Sequence, residues 1–437
     1  MIRFRQYISA LRASFWFVPM LIIALSVVLA ISLIEYDVGG IRPWMRDWPR
    51  VFGAGADGAR GMLVTVAGSM MTVVGVTFSM TLVTLALASS QYTSRILRNF
   101  MRNRMTQISI GLFAGIFIYC LIVLRSIRGG DEGEFIPSMS VTVGVMLAMV
   151  GITVLIFFIH HIAFSIQASA IISSVADESM DLLDRLYPDE IGDAPPELDH
   201  DEDASAAAAR VWQPIPSRTT GYIQDVEAGA LMRIAKLHHG IIRMERGVGE
   251  FVVKGAPVAS IATIQVFEKS IGSEVRGAYG INRFRTLDQD PSFGIRMLVD
   301  IALRALSPST NDTTTGVMCI DYLTAILTRL AGRVIPPTYR YDEGALRVIG
   351  MGPSFESMVA ESFDEIRGSS GGNVSIMLRL LAALEIIGSQ TTVPSRRSVL
   401  REQMRAVVET AQRTIDSPRD KLRIAARFDE VQKAMGE

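Results

Sequence analysis

The sequence predicts an α-helical polytopic membrane protein with four transmembrane helices, followed by a C-terminal cytoplasmic α+β domain that is mostly helical. Three observations predict this class. Hydrophobic segments crowd the first ~175 residues, and most of the acids come after them. Four apolar stretches are each long enough to cross a hydrocarbon core of ~30 Å. Beyond them the pattern changes to short alternating strands and then to helices with a spacing of about 3.6 residues.

The bulk numbers agree. Among 437 residues, 49% are hydrophobic, and the mean hydropathy of +0.32 is high for a soluble chain. A net charge of −1 creates no global field, so no nucleic-acid partner is expected. The two cysteines, Cys120 and Cys319, lie far apart in different regions and define no disulfide framework or cysteine metal site. The N-terminus, "MIRFRQYISALR", is basic. The apolar run after it is long enough to span and lacks a small-x-small cleavage site, so it is read as a membrane helix rather than a signal peptide.

The spans are placed at about 15–34, 61–90, 105–124 and 137–161. Each must be a helix, because an unpaired backbone cannot cross lipid. Uncharged sequence continues from 135 to 176, so the fourth helix is expected to extend into the cytoplasm and the membrane domain to occupy 1–176. Arginine placement orients the chain. The N-terminal tail carries Arg3, Arg5 and Arg12 without an acid, and the loop between spans two and three carries Arg95, Arg98, Arg102 and Arg104 without an acid. The other two loops mix signs. Both termini are therefore expected in the cytoplasm of a bacterium, with the chain in the inner membrane.

The soluble half divides further. Residues 177–213 hold the helix end and an acidic linker, "YPDEIGDAPPELDHDEDASAAAA", with eight acids and no Lys or Arg. Residues 214–270 read as a small mixed β module. "TTGYIQDV" has strand character. "EAGALMRIAKLHH" has helical spacing, with Leu231, Ile234, Ala235 and Leu237 near one face. A hairpin tipped by Lys254-Gly255 would resemble half of a lipoyl-type domain, but the modification signature around the lysine is missing. Residues 271–437 read as helical. Asp290 and Pro291 open one helix as N-cap and first residue. Arg296, Asp300 and Arg304 form a charge ladder along it.

The chain has no Walker A loop, no HExxH and no CxxC, so no enzymatic activity, no cofactor and no metal site are expected. Four features remain as candidate sites. The first is the second span. Gly61, Gly68 and Gly75 are seven apart, as are Thr65, Thr72, Ser79, Ala86 and Thr93, and the glycine series runs on through Leu82 to Ser89. Together they make a seam of small residues with a period of about 3.5. Such a seam permits close helix contact, and its hydroxyls could also line a wet pore. Gly111-x-x-x-Gly115 in span three is a compatible partner surface. The second feature is the basic cluster Arg95, Arg98, Arg102 and Arg104, read as a topology and lipid-phosphate signal or a charged pore mouth. The third is the pair His160 and His161 at the membrane interface, read as anchoring or proton handling. The fourth is the turn around Arg304, Ser307, Ser309, Asn311, Asp312 and Thr313. It reads as a helix cap or as a site for a small anionic ligand.

The stretches "FSMTLVTLALASSQYTSRILRNFMRNR", "FFIHHIAFSIQ", "GYIQDVE", "GEFVVKGAP" and "FGIRMLVDIALRALSPSTNDTTT" together resemble a family of predicted bacterial inner-membrane proteins of unassigned function. The resemblance spans most of the chain and implies four spans plus a cytoplasmic domain. It implies no catalytic residues and no substrate. The best expectation for function is an oligomeric ion or small-solute channel, with span two lining or sealing the pore. The alternative is a membrane-anchored sensor or scaffold. The lipid bilayer and further copies of the chain are the expected partners.

Overall fold

The computed structural model describes residues 16–38, 55–91, 104–128, 135–187, 210–263 and 269–435. They fall into two compact units, Met1–Gln167 and Ala168–Glu437. The first unit contains four helices long and apolar enough to cross a membrane. They are α1 (Phe17–Val38), α2 (Ala56–Gln91), α3 (Arg104–Ser126) and α4 (Ser138–Ser165).

Helix α3 is the hub of this unit. It packs against α1, α2 and α4, and buries Phe113, Ile116, Tyr119, Cys120 and Val123. The other three helices leave most of their apolar surface exposed, including Leu25 and Val28 on α1 and Met149 and Ile156 on α4. A bilayer is the solvent that such a surface fits. At 36 residues, α2 is the longest helix among the described residues. At 1.5 Å per residue it extends ~54 Å, well past one bilayer core.

The uncharged run 135–176 is not one helix. It breaks at Ile166 and Gln167, and α5 (Ala168–Leu186) begins a new one that belongs to the second unit. The reason is a change of pattern. Helix α4 is apolar all round, whereas α5 carries one buried stripe of Ile171, Ile172, Val175, Ser179, Leu182 and Leu183.

The second unit adds two small sheets and eight more helices among the described residues. Its strands and helices run β1 (Gln213–Pro216), β2 (Gly221–Val226), α6 (Ala228–Leu237), β3 (Ile241–Met244), β4 (Phe251–Val252), β5 (Pro257–Ala262), α7 (Lys269–Gly277), β6 (Tyr279–Asn282), α8 (Pro291–Ala305) and α9 (Thr313–Ala331). They continue with β7 (Tyr339–Asp342), β8 (Ala345–Ile349), α10 (Phe355–Ser369), α11 (Val374–Ser389), α12 (Pro394–Thr414) and α13 (Pro418–Ala434). One sheet has the order β1-β5-β3-β8-β7 and the other β4-β2-β6. Ile215, Ile223, Leu231, Ile242, Val252, Ile261, Val275 and Val348 meet in a shared core.

Three expectations change here. Lys254-Gly255 does not tip a hairpin, because β4 pairs with β2 while β5 pairs with β1 and β3. The turn carries the chain from one sheet to the other, so the lipoyl-like reading has no structural basis. The segment expected to be mostly helical, 271–437, also contains β6 and the β7–β8 hairpin, and β8 runs parallel to β3. Its tip, Glu343-Gly344, takes positive φ at both residues, as a tight two-residue turn requires. Finally, Leu237 is exposed, although Leu231, Ile234 and Ala235 are buried as their spacing predicts.

The helical layer uses the signals read from sequence. Asp290 caps α8 by accepting from the Phe293 N–H, with Pro291 as first residue. Helices α5, α8 and α9 pack together. Gly294 permits this approach, since a Cβ there would stand 2.0 Å from Ser179 Oγ. Asp184 of α5 pairs with Arg329 and with Arg333 at 3.0 Å. The Arg329 guanidinium holds the Asp184 carboxyl below the usual carboxylate range, with Arg333 assisting.

Candidate functional site

On α2 the structure separates two faces. Ala59, Leu63, Ala67, Met70, Thr77 and Thr84 are buried within the four-helix unit. Gly61, Thr65, Gly68, Thr72, Gly75, Ser79 and Ala86 all lie on exposed positions. A Cβ built on Gly61, Gly68 or Gly75 meets nothing within 4 Å. The seam therefore faces away from the other three helices. The side chain of Ser89 and residue Thr93 lie outside the described residues.

Two hydroxyls of the seam bond to their own helix. Thr65 Oγ1 donates to the Gly61 carbonyl at 2.8 Å, and Thr72 Oγ1 to the Gly68 carbonyl at 3.1 Å. Ser69 and Thr77 repeat the pattern at Thr65 and Val73. Each hydroxyl proton is thereby satisfied inside the helix, and each oxygen keeps acceptor capacity. A face built this way tolerates an apolar neighbour yet can still accept a hydrogen bond.

Gly111 and Gly115 do something different. They face α1, not α2. A Cβ on Gly111 would come 2.8 Å from Pro19 Cα, and one on Gly115 would come 2.5 Å from Ser26 Oγ. The expected pairing of this motif with the α2 seam is thus replaced by close packing inside the bundle. Pro19 and Ser26 supply the small opposing surface.

One polar cluster in the first unit was not visible in the sequence. Asp37, near the end of α1, accepts from the backbone N–H groups of Met139 (3.2 Å) and Ser140 (2.9 Å) and from Ser140 Oγ (2.7 Å). Tyr119 Oη donates to the Ser140 carbonyl at 2.8 Å. A carboxylate at the start of α4 satisfies orphan N–H groups and complements the helix dipole. The cluster ties α1, α3 and α4 together at one end. Its only sequence signal was an acid just past an apolar run and a Ser-x-Ser at the start of another.

The remaining predicted residues scatter. His160 is exposed. His161 is half-buried, with its Nε2 3.3 Å from Ser165 Oγ. Arg104 is the first residue of α3 and exposed, while Arg95, Arg98 and Arg102 lie outside the described residues, as does the acidic linker 188–209. Among the described residues, no group of three or more His, Cys, Asp or Glu side chains is arranged to hold a metal ion.

The turn after α8 is a connected capping structure. Ser307 Oγ donates to the Arg304 carbonyl at 2.8 Å and lies 3.2 Å from Ser309 Oγ. Asn311 adopts φ of 47°, a conformation that asparagine tolerates better than most residues. Asp312 accepts from the Thr315 N–H at 3.0 Å and from Thr315 Oγ1 at 2.6 Å. Those bonds hold its carboxyl below the usual range. Thr313 Oγ1 accepts from Asn373 at 2.8 Å. The protein's own carboxylate thus occupies the N-terminus of α9, where an anionic ligand would otherwise bind.

Residues 368–372, "GSSGG", also match the spacing of a serine nucleophile elbow. That motif needs a strand-to-helix turn that exposes its serine. Here Ser370 follows the end of α10, is buried, and donates to the Arg367 carbonyl at 2.8 Å. It is a helix-terminating residue.

The family model described as "Predicted membrane protein (DUF2254)" matches residues 12–386, which takes in all four spans and both sheets. The chain belongs to the DUF2254 family of predicted membrane proteins. Its curated relatives include uncharacterized proteins of Mycobacterium bovis and of two strains of Mycobacterium tuberculosis. Each is 32% identical over 389 residues, covering 86% of this chain and 73% of the relative. No solved structure matches it significantly. The family match is consistent with the four apolar helices and the mixed α+β region that follows them.

Proposed function

We propose that this chain is a homo-oligomeric membrane protein in which copies meet along the α2 seam and enclose a path for an ion or small solute. The observation that carries this reading is the outward position of Gly61, Gly68 and Gly75, each with open space where a Cβ would stand. Glycine in a helix interior costs about 1 kcal/mol relative to alanine. Three of them on one exposed stripe need a compensating contact outside the protomer. Close approach of a second backbone is the compensation that small residues permit in lipid.

In this reading the chain lies in a bacterial inner membrane with both termini in the cytoplasm, following the acid-free arginine loops. The second unit regulates access, and no enzymatic step is involved. Reconstituted protein should conduct at least one ion. Thr72→Leu and Ser79→Leu should reduce that flux severalfold without loss of folded protein. Background flux for every ion tested would overturn the conduit.

A second reading has its own support. The seam hydroxyls Thr65 and Thr72 are spent on their own backbone, which suits a dry contact. Copies would then meet along α2 without a path between them, and the chain would serve as a sensor or scaffold. Oligomers without flux distinguish this case.

A further inference from the structure

The second unit carries a surface tip where three segments converge at one end of the β4-β2-β6 sheet. Ser217 N–H donates to the Ala256 carbonyl at 2.8 Å, and Gly255 N–H to the Ser217 carbonyl at 2.9 Å. Lys254 N–H donates to Thr220 Oγ1 at 2.9 Å. The pairings Gly221↔Val252 and Tyr222↔Asn282 bring the residues after β6 to the same end, where Gln224 Nε2 donates to the Phe284 carbonyl at 2.7 Å.

The side chains of this tip have two characters. Phe251, Val253 and Phe284 are 51%, 55% and 57% exposed, far more than a packed apolar residue. Tyr222 braces Phe251 edge-to-face, with ring centroids 5.1 Å apart. Around them stand Arg218, Lys254 and Arg283, all exposed. Among the described residues, no acid forms an ion pair with any of the three. Glu250, which immediately precedes β4, is engaged by Arg246. The other face of the same sheet is closed, with Ile223 and Val252 in the core.

We propose that this tip docks on an anionic phospholipid surface, its apolar side chains entering the headgroup region and its cations meeting lipid phosphates. Aromatic side chains favour that depth, and clustered Lys and Arg are drawn to an anionic leaflet. The four spans tether the tip to a bilayer, which raises the effective lipid concentration it meets. A single-stranded nucleic acid would also use cations and aromatic faces. Val253, set among the exposed apolar residues, offers no face on which a base can stack. The inference rests on membrane attachment alone, not on the oligomer or conduit proposed above.

The test uses the full chain in lipid nanodiscs of phosphatidylcholine, with or without phosphatidylglycerol. Cys120 and Cys319 are both buried, so Phe284→Cys can carry a single polarity-sensitive fluorophore. Leu422→Cys, at a site 71% exposed on α13, is the control. Lipid-borne quenchers should reach the label at 284 in the anionic discs, and high salt should reverse this. Replacing Arg218, Lys254 and Arg283 together by alanine should lower the docked-to-free ratio on the order of a hundredfold, about fivefold per cation. An unchanged melting temperature confirms that this variant folds. Three results would overturn the proposal: no quenching in either disc, equal quenching in both, or a response to added oligonucleotide in place of lipid.

Discussion

Two glycine-bearing helices of the same bundle use their glycines in opposite ways. On α3, Gly111 and Gly115 are closed off by α1, with Pro19 and Ser26 where their side chains would be. On α2, Gly61, Gly68 and Gly75 have nothing within 4 Å of a built Cβ. Both sets look alike as sequence, small residues at helical spacing in an apolar run. The first is consumed in building the protomer. The second is left over after the protomer is built, and so points outward to another molecule or to lipid.

The comparison breaks most easily at α3. Gly111→Leu should be the most damaging substitution, because its clash is with the backbone of Pro19 rather than a movable side-chain end. Overpacking of this kind costs about 3 kcal/mol or more. The purified variant should run as aggregate or melt far below the wild type. A well-folded Gly111→Leu protein would mean that α1 and α3 are not in close contact.

Gly68→Leu is the matching change on α2 and should behave oppositely. The protomer should keep its stability to within about 1 kcal/mol, with a slight gain in helix propensity. The proposed oligomer should dissociate, as measured by mass photometry or light scattering in detergent. Loss of protomer stability instead would place the seam inside the fold.

Asp37→Ala tests what else holds the bundle. It removes three hydrogen bonds at the start of α4, and should cost about 1–2 kcal/mol, as lost helix caps do. The proposed oligomer should persist once the variant is folded.

Asp184→Asn should have the smallest effect, about 1 kcal/mol, and only in the second unit. Its sign depends on pH. The Asp184 carboxyl is held below its ordinary range in the folded state, so its stabilisation is fully present above about pH 4 and is lost as pH falls through the folded value. The difference in melting temperature between variant and wild type should therefore close in acid. A constant difference at all pH values would show that the ion pairs do not hold α5 to α9.

Much of the fold was legible because its signals are local. Span positions follow from apolar length, and the caps, at Asp290 and at Asn311 or Asp312, follow from residue type just before a helical period. The exposed stripe on α2 was legible as a stripe, since a seven-residue period defines a face. Which neighbour a face meets is not a local property. That is why Gly111 and Gly115 were assigned to α2 when α1 claims them, and why Asp37 was missed, its partners lying about a hundred residues away. The β7–β8 hairpin did carry a signal, alternating residues on each side of Glu343-Gly344, but strong helical periods on both sides masked it. Lys254-Gly255 misled for the opposite reason. Adjacent strands usually pair, and here a shared core splits them between two sheets.

The most direct test of the outward seam is disulfide cross-linking in native membranes. Cys120 and Cys319 are buried and should remain silent. Thr72→Cys, on the seam, should form covalent dimers or a ladder of oligomers on mild oxidation. Met71→Cys, also exposed but off the seam, should form far fewer. That contrast is what the account predicts. Monomers at both positions, or equal cross-linking at both, would contradict it.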